Sequence, residues 1–503
     1  MRGEILISKM HAPEQKPFLA FDLGAQSGRA ILARLHSRVL TTREIRRFKN
    51  EPVEYGGSLH WDVPRLWWEM RKALSELQSV ELAGIGVDAW GVDYALLGDR
   101  GELLQNPYHY RDPRTAGVMD QVFRIIGKEE IYRFTGIQFM PINTLYQLYA
   151  AKQQTPAILR SAQKLLTIPD LFNYWLTGKA VCEFTNATTT QLANPFTRAW
   201  ATDLIERLDL PGHLLPQIVE PGTVIGPLQC QLARNTSFAN TPVIAPATHD
   251  TGSAVAAISA REGTAFLSSG TWSLVGTEID RPIISAEALQ LNFTNEGGVE
   301  GTTRLLKNVM GLWMLQECRS AWAAQGHSCD DIELLEVAEG ETPFVSFVDP
   351  DHESFLRPAD MPTAIDAFCK RTEQPLPKTH GAYARAILES LAFKYRLVTQ
   401  HLEKLINKPI ERIRIIGGGS KNRLLNQFTA DATGKQVLAG PAEATAIGNV
   451  AMQILATGGA SSLREVRAIV DRSFPTETFE PRETDKWDRH FARFQHYTEV
   501  IYA

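Results

Sequence analysis

Cysteine, long apolar runs, surplus positive charge and strand–loop–helix nucleotide fingerprints are all scarce in these 503 residues, and each scarcity removes a class of protein. The five cysteines, Cys182, Cys230, Cys318, Cys329 and Cys369, are odd in number and scattered, with no Cys-x-x-Cys pair. That excludes a disulfide framework and a zinc ligand set, and leaves reduced, mostly buried thiols. No apolar run approaches 18 residues, so no spanning helix is expected. Met1 to Lys16 holds only Ile5-Leu6-Ile7 between Glu4 and Lys9, too short for the apolar core of a secretory signal. A cytoplasmic address is the expectation. Lys and Arg number 52 against 57 Asp and Glu, a net charge of −5, so nothing favours nucleic acid or a membrane surface as partner. No Gly-Lys-Ser/Thr closes a Walker loop, and Gly84-x-Gly86-x-x-Ala89 carries Asp88 and Trp90 where a Rossmann helix should start. An NAD-linked dehydrogenase therefore has no support.

What is present is ordinary globular material. Hydrophobic residues at 44% and charged residues at 22% exclude a mainly disordered chain, and the length calls for two or three packed units. Phe18 to Phe21, the small-residue turn from Asp22 to Arg29 and the run Ala30 to Leu35 read as strand, turn, strand. Pro64 to Leu77 reads as a helix with Leu66, Trp67, Met70, Leu74 and Leu77 on one face. Gly84 to Val87 and Val92 to Leu97 read as strands joined by Asp88-Ala89-Trp90-Gly91. Pro242 to Ala245 reads as a strand that leads into a small-residue helix, Ser253 to Ile258. The opening pattern then returns: Ala265 to Leu267, the turn Ser268 to Thr271, and Trp272 to Val275. Two equivalent hairpins half a chain apart predict a duplicated α/β domain. Beyond them come a long helix from Tyr383 to Leu405, a strand from Ile413 to Ile416, and Gly417-Gly418-Gly419-Ser420 opening a helix to about Ala432. Alternating strands and helices imply covered sheets. Glu477 to Ala503 reads as a peripheral tail and helix.

Chemistry concentrates in the turns. Small residues let backbone N–H groups converge on a phosphate because no Cβ intrudes, and both hairpin turns have that composition. Asp22 precedes the first turn, where a carboxylate can hold Mg²⁺ or its waters. Ordinary hairpins would explain either turn alone. The three glycines from Gly417 give a third place where backbone can approach a ligand. Asp250 is either a helix N-cap, the commoner role at such a position, or a base that takes a hydroxyl proton during phosphoryl transfer. The company of phosphate-style turns moves the balance toward the base. Trp90, flanked by Asp88 and Asp93, suits the C–H face and hydroxyls of a sugar, and would serve equally as core packing. Tyr108 to Arg114 fits either a polyol-site lining or a solvated loop.

From about Phe18 to Pro481 the chain resembles the FGGY family of carbohydrate kinases. The resemblance is carried by DLGAQSGR (22–29), GVDAWGVDYALL (86–97), YRDPRT (110–115), GIQFMPINTLYQL (136–148), FTNATTTQL (184–192), HDTGSAV (249–255), LSSGTWSL (267–274), FTNEGGVEG (293–301), LKNVMGLWMLQE (306–317) and IIGGGSKNRLLNQ (415–427). It implies a two-lobed α/β fold of the actin/hexokinase type, each lobe on a ribonuclease-H-like sheet, with ATP and sugar meeting in the cleft between them. The lobes would span residues 17–256 and 257–503, after an extension of residues 1–16 for which there is no functional account. It implies transfer of the γ-phosphoryl of ATP to a sugar hydroxyl. The motifs are most similar to the branch that acts on the 1-hydroxyl of L-rhamnulose, with L-fuculose or xylulose as alternatives. A non-catalytic sugar or nucleotide sensor of the same fold is the competing class. Carried over by motif, Asp22 lies near Mg²⁺, while Ala25, Gln26, Ser27, Gly28, Arg29, Thr271, Gln316, Gly418 and Gly419 meet the nucleotide. Gly91, His249, Asp250, Thr251 and Asn308 line the sugar, with Asp250 the base, and Trp90 joins them on the residue reading above. Gln26 departs from the small hydroxyl residue common at its place in the family. The oligomeric state stays open, a monomer being favoured.

Overall fold

Alternation along Phe18–Leu23 (β1) sends Leu19, Phe21 and Leu23 to one face of a sheet and Phe18 and Ala20 to the other, and each face meets its own core. In the computed structural model, which describes residues 16–327 and 329–499, β1 turns at Gly24 into Ser27–His36 (β2), followed by Val39–Lys49 (β3). On the other side of β1 runs Gly84–Ala89 (β4), parallel to it, and Thr223–Pro227 (β5) and Pro242–Ala245 (β6) complete the order β5-β6-β4-β1-β2-β3.

The second half repeats this plan. Thr264–Ser269 (β7) and Trp272–Ile279 (β8) form the hairpin. Thr294–Gly297 (β9) and Thr303–Met310 (β10) extend it on one side. Arg412–Ile416 (β11), Gln436–Ala439 (β12) and Glu477–Phe479 (β13) extend it on the other, giving β9-β10-β8-β7-β11-β12-β13. In both sheets the first hairpin strand has antiparallel neighbours on one side and two successive parallel strands on the other, closed by an antiparallel edge. The duplication expected from the two turns is therefore present, with β9 as an added strand.

The helices that position the cleft are Val63–Glu76 (α1), Asp250–Ala256 (α2), Trp313–Ala324 (α3), His380–Ile406 (α4), Arg423–Thr433 (α5), Ala444–Ala456 (α6) and Thr484–Glu499 (α7). Local chemistry sets their ends: Asp62 and Thr379 accept from backbone N–H groups at the starts of α1 and α4, and Asn407 closes α4 in the left-handed conformation. Helices α2 and α6 are rich in Ala, Gly and Ser and cross closely between the sheets. Their shared core draws Phe18 and Ala20 from the first sheet and Phe266, Leu274 and Ile416 from the second. That interlobe core is where the halves are joined.

Several local readings need correction. β4 runs on to Ala89, whose N–H donates to the Thr248 carbonyl, so Ala89 is strand rather than turn. The next strand starts only at Tyr94, after a left-handed Val92, and pairs with Lys164–Thr167 instead of β4. The glycine turn opens a 3₁₀ turn, Gly418–Lys421, and α5 begins after it with Asn422 as its cap. The C-terminal segment is not peripheral: Trp487, Phe491 and Phe494 of α7 are buried in the second lobe's main core with Phe393 of α4. The expected extension falls outside the described residues except for Lys16. Cys182, Cys318 and Cys369 are buried, Cys329 is half-buried and Cys230 is exposed, and none of them is paired. Among the described residues no helix is long and apolar enough to cross a membrane.

Candidate active site

A cleft of about 470 Å³ opens between the lobes, and every site residue expected from the sequence lines it except Gly28. Its walls are the three turns: Asp22 to Arg29 after β1, Ser268 to Thr271 between β7 and β8, and Gly417 to Gly419 after β11. Gly417 sits at φ +82 beside the Ser269 carbonyl, a conformation and a closeness that together call for glycine. Gly28 has another use, because a side chain there would run into the Phe48 ring of β3. At the cleft mouth Gln26 Nε2 donates to Gln316 Oε1 of α3 across 2.7 Å, so Gln26 bridges the lobes. Deeper in, Gln138 Oε1 accepts from Asn308 N at 2.8 Å and from Asn308 Nδ2 at 3.2 Å.

Charge is unevenly shared. Asp22 and Arg29 face each other across the first hairpin, with Arg29 Nη2 donating to Asp22 Oδ2 at 2.6 Å. The other guanidinium end of Arg29 pairs with Glu443. Burial pushes the Asp22 carboxyl up, Arg29 opposes that, and the charge of Asp250 pushes it further up. Asp88, beside Asp22 in the ladder, is pushed well up by burial and by Asp22. It accepts from Asn449 Nδ2 of α6 at 2.6 Å and does not reach the cleft.

Asp250 is the first residue of α2, and the cap position is His249, which makes no side-chain capping bond. The capping role considered for Asp250 is thus not what the structure shows. Its Oδ1 accepts from Thr251 N at 2.5 Å and Thr251 Oγ1 at 3.2 Å. The peptide before it is pinned from behind by the fully buried Glu183, whose Oε2 accepts from Thr248 N at 2.7 Å and Thr248 Oγ1 at 2.8 Å. His249 N donates in turn to Thr185 Oγ1 at 3.2 Å.

Trp90 is buried and also part of the cleft wall. Asp93 is not a free sugar ligand. Its Oδ2 accepts from Trp61 Nε1 at 2.6 Å, Trp90 Nε1 at 2.9 Å and Tyr110 N at 3.2 Å, and its Oδ1 from Gln147 Nε2 at 2.8 Å. It therefore fixes the plane of the Trp90 indole. His109 to Asp112 are buried and Tyr110 lines the cleft, which excludes a solvated loop there. Residue reasoning missed Gln138, Asn143 and Glu296, all of which line the cleft. Gln138 and Asn143 stand in GIQFMPINTLYQL and Glu296 in FTNEGGVEG, segments noted as motifs without roles.

Two clefted α/β lobes built on one repeated sheet plan define a phosphotransferase-type architecture, and comparison specifies it. Residues 18–257 match the N-terminal domain and residues 265–457 the C-terminal domain of the FGGY family of carbohydrate kinases. The chain belongs to that family. Among curated relatives, a rhamnulokinase of Bacteroides thetaiotaomicron is 45% identical over 481 residues, covering 95% of this chain and 98% of the relative. Rhamnulokinases of Oceanobacillus iheyensis and Pectobacterium atrosepticum are 42% and 43% identical, covering 92% and 95% of this chain and 97% and 96% of theirs. Solved structures share the fold: a gluconate kinase from Lactobacillus acidophilus superposes with TM-score 0.80 at 19% identity, covering 97% of this chain and 98% of its own. A glycerol kinase from Plasmodium falciparum, solved with ADP, gives 0.75 at 16%, covering 97% of both chains.

Proposed function

We propose that this chain transfers the γ-phosphoryl of ATP to the 1-hydroxyl of L-rhamnulose, giving L-rhamnulose 1-phosphate. The observation that carries the reaction is the convergence on one cleft of three small-residue turns and Asp250. The sugar is supported by relatives named rhamnulokinase at 40–45% identity over almost the whole chain. In this reading the lobes are residues 17–256 and 257–503, and the address is cytoplasmic.

Backbone N–H groups of the turns at Ala25 to Ser27, Thr271 and Gly418 to Gly419 hold the nucleotide's phosphates, and Arg29 and Gln316 flank them. Gly28 supports the first turn against Phe48 rather than touching ligand. The Trp90 face takes the C–H side of the sugar, while Gly91, His249, Thr251 and Asn308 line its hydroxyls. Asp250 accepts the proton of the attacking hydroxyl as its oxygen bonds to the γ-phosphorus. The donor set fits Mg²⁺: the Asp22 carboxylate lines the cleft beside the first turn, and the charge of Asp250 adds to the cost of ionising it, which a cation there would offset. Magnesium keeps waters and phosphate oxygens as ligands, so one buried carboxylate, Asp22, suffices to hold it. When bound, it supplies positive charge to the transferring phosphate.

The test is ADP release from Mg-ATP with L-rhamnulose, L-fuculose, D- and L-xylulose and glycerol, with Asp250→Asn alongside. L-Rhamnulose should be preferred, and the variant should bind sugar normally while turnover falls roughly 10²–10⁴-fold. Preference for another ketose overturns the substrate, and nucleotide binding with no turnover on any sugar turns the reading into a sensor.

A further inference from the structure

The carboxylate of Asp250 ends a chain of polar groups that crosses from one lobe to the other. His249 places Nε2 3.3 Å from Asp250 Oδ1, and its Nδ1 lies 3.2 Å from Nη2 of Arg304. Arg304 comes from β10 of the second sheet, is fully buried, and donates Nε–H to the Gly297 carbonyl at 2.8 Å. The same Nη2 lies 3.2 Å from Glu296 Oε2 of β9, and that oxygen is 3.3 Å from His249 Nδ1. Three groups thus form a small triangle in the cleft wall, with His249 and Glu296 facing the cleft and Arg304 behind them.

Their proton roles are constrained. A guanidinium is donor-only and keeps its protons in proteins. Nη2 is in hydrogen-bonding geometry with the Nδ1 lone pair, whereas Glu296 Oε2, 3.2 Å away, pairs with it by charge and accepts no hydrogen bond from the described residues. A ring nitrogen that accepts from Arg304 carries no proton, so the neutral imidazole holds its hydrogen on Nε2. Nε2 lies 3.3 Å from Asp250 Oδ1, which already accepts from Thr251 N and Thr251 Oγ1. Oδ1 is thus taken up by two hydrogen-bond donors with Nε2 3.3 Å away, whereas Oδ2 accepts from no described residue.

We propose that Arg304 is a positioning residue: it fixes His249 as the Nε2–H tautomer, which commits Asp250 Oδ1 to the protein and leaves Oδ2 to receive the sugar proton. This rests on the kinase reading above. In the transfer the hydroxyl O–H bond breaks, its proton goes to Oδ2, its oxygen bonds to the γ-phosphorus, and the electron pair of the broken P–O bond leaves with ADP. Glu296 is the counter-ion that allows a permanent cation in the buried wall. With Arg304 gone, the carboxylate of Glu296 would draw the ring proton to Nδ1. Nε2 would then present a lone pair to Oδ1, and the base would be pushed out of line.

The direct test is the ¹⁵N spectrum of histidine side chains in the unaltered protein, with the His249 signals identified by their loss in His249→Asn. A pyridine-like Nδ1 and a pyrrole-like Nε2 are expected, and a proton on Nδ1 at neutral pH overturns the proposal. Kinetics supply the second arm. Arg304→Met alone leaves Glu296 unpaired, so the double variant Arg304→Met, Glu296→Met is made with it, since an apolar replacement of a buried ion pair preserves folding better than half of one. The double variant should lose about 30-fold or more in kcat beyond any change in the calorimetric Kd for L-rhamnulose, the part due to the cleft-lining Glu296 being read from Glu296→Gln alone. An unchanged kcat, or a loss wholly in sugar affinity, overturns the positioning role. A parent that phosphorylates no sugar overturns the functional reading, whereas an active parent with the Nδ1–H tautomer overturns this proposal alone.

Discussion

Ringed by N–H donors from Trp61, Trp90, Gln147 and Tyr110, the Asp93 carboxylate is still pushed up to about 6, because burial outweighs those hydrogen bonds. An unfolded chain would ionise it near 3.8. Between these values the folded state keeps a proton that the unfolded state has lost, so Asp93 stabilises the fold less as pH rises through the window. Two pKa units amount to about 3 kcal/mol. His109, stacked on Trp61, acts in the opposite sense: burial and Arg111 bring it down to about 3, so its contribution falls as pH drops below the ordinary histidine value. Comparing parent with Asp93→Asn cancels that second trend. By urea unfolding, the parent should gain about 3 kcal/mol relative to the variant between pH 7 and pH 4, and a pH-independent gap would rule out Asp93 as the titrating group. The residue also shows where sequence reading stops. Asp88 and Asp93 flank an indole as sugar ligands would, and only the fold reveals that Asn449 and the two tryptophans have taken them up.

At the scale of elements, the hairpins were legible because each repeats apolar run, small-residue turn and apolar run, and the register of β1 with β2 and of β7 with β8 follows from the turn. Helix α2 was legible in type and displaced in position, since His249 and Asp250 look like loop residues until the β6 strand and Glu183 are seen to hold them. Helix α6 gave no local signal of its role. Its Gly448 lies directly on the Ser253 carbonyl of α2, and an added Cβ would drive into that oxygen. Ala would raise helix propensity by about 1 kcal/mol, while overpacking a tight crossing costs about 1–3 kcal/mol. Gly448→Ala should therefore lower thermal stability. It should also reduce kcat by about tenfold or more, because the displaced helix begins with Asp250. A melting temperature above the parent's with unchanged kcat would show that the helices slide apart freely.

For the whole molecule, the sequence carried the duplicated plan but not the contacts between its halves, which join residues hundreds of positions apart. The aromatic C-terminal helix α7 reads as a tail on its own and becomes core only beside Phe344 and Phe393. Arg111 is the clearest contact across the cleft. Buried in the first lobe's YRDPRT segment, its guanidinium lies 3.7 Å from the ring centre of Trp313 and 5.6 Å from that of Trp272, both of the second lobe. Among the described residues its Nε and Nη2 find no hydrogen-bond acceptor, so the aromatic rings, with the charge of Glu317, are what hold it. A desolvated cation–π contact contributes about 2 kcal/mol. Replacing it with Ala should shift the balance between joined and separated lobes roughly 30-fold toward separation, at 1.4 kcal/mol for each factor of ten. Phosphoryl transfer to a sugar needs joined lobes to exclude water as acceptor, so the sugar must then supply the lost closure energy. Arg111→Ala should raise KM for the sugar about tenfold or more at nearly unchanged kcat, and enlarge the ligand-free radius of gyration in small-angle scattering. Unchanged scattering together with an unchanged KM would mean that the Gln26–Gln316 bridge and the shared core of α2 and α6 hold the lobes without Arg111.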